Sequence, residues 1–267
     1  MSTLSTRFDT VARAAAFVPP TAPEEFADRL HTLYGLSQRS HYVFGSPLGP
    51  TFHRGHHLNV PRFVYFGPHT HDESLRLAFY AGFDRRDLRG SFALLRLVER
   101  LAIDPDLGQG LNLSFFPLID AAGLFHNEAP RGLERAHWQH SSAPEIDLLQ
   151  KDARVRGYHA FVRIETAHDE DEISAGLRGQ WDDTATPGVE LISSDDFHPH
   201  SVRWEAVNGP IADGPLTLND DLPFRAFEFT LRVPSQWEAP LYREAVGSVL
   251  KNFILRYRTL QAYGQHL

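Results

Sequence analysis

The chain has 267 residues, 42% of them hydrophobic and 22% charged, which is the make-up of an ordinary globular protein with room for one large α/β domain or two small ones. Its formal charge, 26 − 34 = −8, argues against a non-specific nucleic-acid binder. With no cysteine there are no disulfides, no thiolate zinc site and no cysteine nucleophile, so a transition-metal site must use His, Asp or Glu.

The opening "MSTLSTRFDTVARAAAFVPP" lacks a basic leader and a long apolar core, and Arg13 interrupts its one apolar stretch. Residues 1–20 are expected to be a poorly ordered extension. No run approaches bilayer length, so the expectation is a cytoplasmic protein without a membrane partner. In "TAPEEFADRLHTLYGLSQ", Thr21 can cap a helix, Pro23, Glu24 and Glu25 suit its first turn, and Phe26, Leu30 and Leu33 recur at helical spacing up to Gly35. "HYVFGSPLGPTFHRGHHLNVPRFVYFG" consists of short apolar runs broken by Gly and Pro, which predicts strands and tight turns. "SLRLAFYAGF" and "GSFALLRLVERLAID" are expected to be two helices joined by the polar hinge "DRRDLR". "LNLSFFPLID" is a buried-type strand ending at "AAG", and "APEIDLLQKDARVRG" is a helix with Ser142 and Glu145 spaced as a capping box.

"YHAFVRIE" alternates as a strand before the acidic loop "TAHDEDE". Residues 179 to 222 are rich in Gly, Pro, Asp and Ser and are expected to form loops and edge strands. "FRAFEFTLRVP" is a further strand, and "APLYREAVGSVLKNFILRYRTLQ" a long terminal helix. Strands alternating with helices predict a single α/β domain spanning 1–267, with a mixed central β-sheet and helices on both faces.

Open α/β sheets bind ligands beyond the carboxyl ends of their strands. Three strands run into polar text there: "FVYFGPHTHD", "FFPLIDAAG" and "FVRIETAHDED". His69 and Asp72 are three apart, and imidazole and carboxylate are both zinc ligands. By themselves they are a weak signal, adequately explained by His69 as a turn residue and Asp72 as a helix cap. "HRGHH" (53–57) reads as a solvated hairpin tip, and "HDEDE" (168–172) and "DDFHPH" (195–200) as solvated loops. No Gly-rich phosphate loop or nucleophile elbow is present.

In their order these pieces resemble the zinc carboxypeptidase superfamily, including its succinylglutamate desuccinylase and aspartoacylase branch, over residues about 40 to 260. The resemblance rests on the order and spacing of elements: strand, "G-x-His-x-x-acid", helix; a strand ending in "DAAG"; an Arg-rich stretch; a helix; a strand with a polar end; and "TLRVPS" before a helix containing "YREA". It implies a metallohydrolase of that fold, with zinc as cofactor. His69 matches the family's His-x-x-Glu motif, with Asp72 at the Glu position. The third ligand, a strand-end His in the family, falls on Glu165, with His168 as the substitute. Asp120 and Gly123 stand in the family's Asn-Pro-x-Gly turn. Arg131 and Arg135 fall where the family binds a substrate carboxylate, a task suited to the guanidinium fork.

One departure bears on activity. The family's general base is a Glu in "T-x-E-T-P", and "TLRVPS" puts Arg232 there. Glu228 shares its strand face but lies about 13 Å away at strand rise. An arginine does not act as a general base at ordinary pH, and its charge weakens metal binding. The resemblance therefore leaves two readings. One is a zinc hydrolase cleaving an amide next to a carboxylate, in a peptide or an N-acyl amino acid. The other is an inactive relative that binds an anionic ligand or partner through Arg131, Arg135 and Arg232.

Overall fold

A computed structural model describes residues 23–129, 131, 133, 138–179, 201–209, 211 and 226–264. In chain order the elements are α1 (Pro23–Ser37), β1 (Val43–Gly45), the hairpin β2 (Leu48–His53) and β3 (His56–Val60), β4 (Phe63–Phe66), β5 (Arg76–Tyr80), α2 (Arg89–Ile103), β6 (Asn112–Phe116) and the short α3 (Ala121–Phe125). There follow α4 (Pro144–Arg156), β7 (Ala160–Ala167), β8 (Ser174–Gly179), β9 (Arg203–Asn208), β10 (Phe227–Pro234) and α5 (Ala239–Gly264). The extension 1–20 and Thr21 lie outside the described residues.

Eight strands form one mixed sheet in the order β1-β4-β6-β5-β7-β10-β8-β9. Its centre, β6-β5-β7-β10, is parallel throughout, so four carboxyl ends emerge at one edge. β4 and β8 flank it antiparallel. On one face Leu77, Phe79, Phe115, Val162, Ile164 and Leu231 pack against α1, α2 and α5 through Phe26, Leu94, Val98, Val246 and Phe253. On the other, Tyr80, Phe116 and Phe161 meet Ile146, Leu149 and Ala153 of α4, and Trp138. The mixed sheet with helices on both faces is thus as the sequence predicts. Among the described residues no helix is long and apolar enough to cross a membrane.

The segment expected to be a helix, "SLRLAFYAGF", is instead the central strand β5, and residues 75 to 81 are all buried except the half-buried Arg76. Because helices cover both faces of the sheet, β5 has no polar face and no period-two alternation. A short unbroken apolar run looks the same in a buried strand and a buried helix. This places the strand-to-helix turn at residues 81–88, not at 67–74. Two smaller expectations also change. α1 continues past Gly35 to Ser37. α4 is capped by Ala143 without a side-chain bond, because Glu145, the other half of the expected capping box, is used elsewhere.

Gly82 makes the β5–α2 turn possible. Its φ is +70°, and a Cβ there would stand 2.6 Å from Ser91 Oγ and 2.7 Å from the Pro117 carbonyl oxygen. Gly82→Ala is expected to cost about 2 kcal/mol or more in chemical denaturation, since left-handed strain and the clash add. Gly247→Ala, in the interior of α5 with open space around it, should stabilise by about 0.5–1 kcal/mol.

At the opposite edge of the sheet, buried His159 ties the strand starts together. Its Nδ1 accepts from the Arg76 backbone N–H at 3.0 Å, and its carbonyl accepts from Phe227 N–H at 3.2 Å. Burial, reinforced by the Arg76 charge, pushes the imidazole down to about 4. The unfolded chain then binds the extra proton first, so stability is present above pH about 6.5 and falls as pH drops toward 4, by roughly 2–3 kcal/mol. His159→Asn, which keeps an acceptor but does not titrate, should remove that part of the slope in urea denaturation measured across this pH range.

Candidate functional site

The β5–α2 turn reads Gly82-Phe83-Asp84-Arg85-Arg86-Asp87, and both aspartates are gripped by the arginine two residues on. Asp84 Oδ1 accepts from the backbone N–H of Arg86 at 2.8 Å, and its two oxygens accept from Arg86 Nε at 3.0 and 2.9 Å. Asp87 accepts from the backbone N–H of Arg89 at 3.1 Å and from its Nε and Nη2 at 2.9 and 2.7 Å. Burial pushes both carboxyls up, but the arginine hydrogen bonds outweigh it, and both settle below the usual Asp value. Asp87 also places negative charge just ahead of the amino end of α2, where the helix dipole favours it. Arg89 reaches onward to the carbonyls of Ser235 and Trp237, both at 2.8 Å, and lies 4.8 Å over the Tyr242 ring. Arg85 points the other way, to the Gly123 carbonyl and Asn127. The turn is thereby fastened on both sides.

The paired strands β7 and β10 carry a second set of charges. Their register sets Arg163 opposite Thr230 and Glu165 opposite Arg232. On this shared face a row of alternating charge runs from the core to the carboxyl edge. Glu228 Oε1 accepts from Arg163 Nη1 at 3.1 Å, Arg163 Nη2 meets Glu165 Oε1 at 2.7 Å, and Glu165 Oε2 stands 3.7 Å from Arg232 Nε. Side-chain exposure along the row is 7%, 7%, 18% and 43%, so the last guanidinium is the one that meets solvent. Arg163 also lies over the Phe83 and Trp138 rings at 5.2 and 5.8 Å. A buried charge requires such pairing, because neither ion is tolerated there alone.

The turn and the row enclose a cavity of about 830 Å³ at the carboxyl edge, a size suited to a small ligand. Asp84, Arg86, Asp87, Glu165, Arg232 and Tyr242 line it, and the acidic loop contributes His168, Asp169 and Glu170. Glu170 in turn is held by Arg203 at 2.9 Å, and Asp171 by Gln236 at 3.0 Å.

The residues expected at this site are brought together only in part. Glu165, His168 and Arg232 line the cavity. His69 and Asp72 do not. They are exposed in the β4–β5 connection, which precedes a parallel strand and therefore lies at its amino end, opposite Glu165. His69 is a turn residue with φ 61°, and the Asp72 carbonyl accepts from Arg76 Nη1 at 3.3 Å. Arg131, expected to bind substrate, is committed internally. It bridges buried Asp120 at 2.7 Å and buried Glu145, whose Oε2 it meets at 2.9 Å. Burial penalises the Arg131 cation, but these two carboxylates outweigh it and hold it charged. Glu145 further accepts from the Ala122 N–H at 2.9 Å, so the group locks α3 to α4. Arg135 lies outside the described residues.

Among the described residues, the donor set at the carboxyl edge does not fit a divalent metal. With His69 and Asp72 at the other edge, the expected His69–Asp72–Glu165 set does not form, and among the described residues no group of three His, Asp or Glu side chains is arranged to hold an ion. Asp84, Asp87 and Glu165 have their oxygens turned to guanidinium groups, and a cation entering among those groups would meet like charge.

Asp84 and Asp87 are the site residues that sequence reasoning missed. A strand–turn–helix order is met at 76–103, with Asp84 and Asp87 three apart in the turn. The available signal was "AGFDRRD" with its turn glycine, placed directly before the amphipathic "GSFALLRLVERL".

No protein-family model and no curated protein matches the sequence. Solved structures do match. A metallo-carboxypeptidase from Pseudomonas aeruginosa, in complex with (2-guanidinoethylmercapto)succinic acid, superposes with a TM-score of 0.63 at 17% identity, covering 90% of this chain and 70% of that one. A metallo-carboxypeptidase from Burkholderia cenocepacia gives 0.64 at 15% identity, with the same coverage. An aspartoacylase family protein from Mesorhizobium loti gives 0.52 at 13% identity, covering 79% and 67%. The fold of this chain is thus shared with these metallo-carboxypeptidases and with the aspartoacylase family protein.

Proposed function

We propose that this chain binds a small molecule or peptide bearing a carboxylate, without metal and without hydrolysis, on a carboxypeptidase-type fold. The observation that carries this reading is the state of the charges at the cavity. The carboxylates of the turn and of β7 are held by Arg86, Arg89 and Arg163. Arg232, at the mouth, has among the described residues one carboxylate neighbour, Glu165, at 3.7 Å, beyond hydrogen-bond length. Its guanidinium has N–H groups to offer an incoming carboxylate, and two-point recognition of that group is what arginine does best. The same residue argues against hydrolysis, since an arginine cannot take a proton from water at ordinary pH. The zinc hydrolase reading draws on the fold alone, and a shared fold does not carry an activity.

The test is calorimetric titration with succinate and with (2-guanidinoethylmercapto)succinic acid. Saturable binding is expected for wild type, weakened about ten-fold or more in Arg232→Ala, as for loss of a charged hydrogen bond. In parallel, carboxyl-terminal peptide and N-acyl amino-acid substrates with added zinc should show no turnover above background. Zinc-dependent turnover abolished by Asp87→Ala would overturn the reading in favour of a hydrolase.

A further inference from the structure

We infer that Glu165 is a built-in competitor for the anion site, and that Arg163 is the positioning residue that holds it off Arg232. This deepens the carboxylate-binding reading and rests on it. Glu165 lies between two guanidinium groups that it does not treat equally. Arg163 Nη2 takes one oxygen at 2.7 Å, and Arg232 Nε has the other only at 3.7 Å. The grip on the Arg163 side is fixed from behind. Its other terminal nitrogen is committed to Glu228 at 3.1 Å, and the rings of Phe83 and Trp138 hold its guanidinium plane. Both Arg163 and Glu228 are buried, whereas Arg232 is close to half exposed. The buried pair therefore anchors the carboxylate, and the exposed arginine is left with its hydrogen-bonding capacity facing the cavity.

An arriving carboxylate has only to displace a long contact. If Arg163 released Glu165, that side chain would close on Arg232 as a resident anion and compete with the ligand. Arg163 never touches the ligand in this account; it sets how much of Arg232 the ligand can use.

The test separates this relay from a simple change of local charge. Succinate affinity is measured by calorimetry for wild type, Arg163→Lys, Glu165→Gln and the double variant. Lysine keeps the charge but cannot bond Glu228 and Glu165 as a fork. Arg163→Lys should weaken binding about five-fold, Glu165→Gln should tighten it, and the double variant should match Glu165→Gln because no competitor remains. Where Arg163→Lys folds poorly, Glu228→Gln serves in its place. With the Glu228 charge gone, Arg163 bonds Glu165 more strongly, and affinity should rise about two-fold or more, an effect lost in the Glu165→Gln background. Wild-type binding with an unchanged Arg163→Lys, or with effects that simply add in the double variant, would overturn the relay and leave the binding reading standing. Absence of succinate binding to wild type would remove the binding reading and the relay with it.

Discussion

Three carboxylates, Asp84, Asp87 and Glu165, converge on the carboxyl edge of a parallel sheet, and such a group needs positive charge nearby to remain ionised in a partly buried place. A metal ion is one source of that charge. Here arginines supply it, one from within the same turn and one from the first residue of α2. Asp84 with Arg86 and Asp87 with Arg89 are pairs two residues apart, so they form as the turn forms and need no distant partner. Arg89 then carries the consequence outward, joining the amino end of α2 to the β10–α5 connection through two carbonyls and the Tyr242 ring. The shape of the cavity follows from these pairs as much as from the apolar packing beneath them.

Pairing of this kind also sets what the site can do. A carboxylate whose lone pairs accept from a guanidinium is a poor ligand for a second cation, and its lowered pKa makes it a weak proton acceptor. A shared scaffold with exchanged charges can retain the cavity and the direction from which a ligand enters while changing how that ligand is held.

Much of the architecture was legible in the sequence because amphipathic segments announce themselves. α2, α4, α5 and the strands β7 and β10 carry clear periodicity or clean boundaries, and Arg232 and Glu165 could be placed at one strand end by counting along β7 and β10. The failure at β5 has a physical origin. A strand buried on both faces lacks alternation, so "RLAFY" was indistinguishable from a helix turn. That single misassignment moved the expected strand-to-helix turn one strand upstream, to the segment holding His69 and Asp72, whereas the observed turn holds Asp84 and Asp87. The pairing of Arg131 was illegible for a different reason. Its partners Asp120 and Glu145 are 11 and 14 residues away, and only the packing of α3 against α4 brings them together.

The claim that arginines have taken the place of a metal is tested most directly by titrating zinc into chelator-treated protein, with elemental analysis of the recovered sample. No stoichiometric zinc is expected, and the same weak uptake, if any, in wild type and Asp87→Ala. One tightly held zinc per chain, lost in Asp87→Ala, would contradict it.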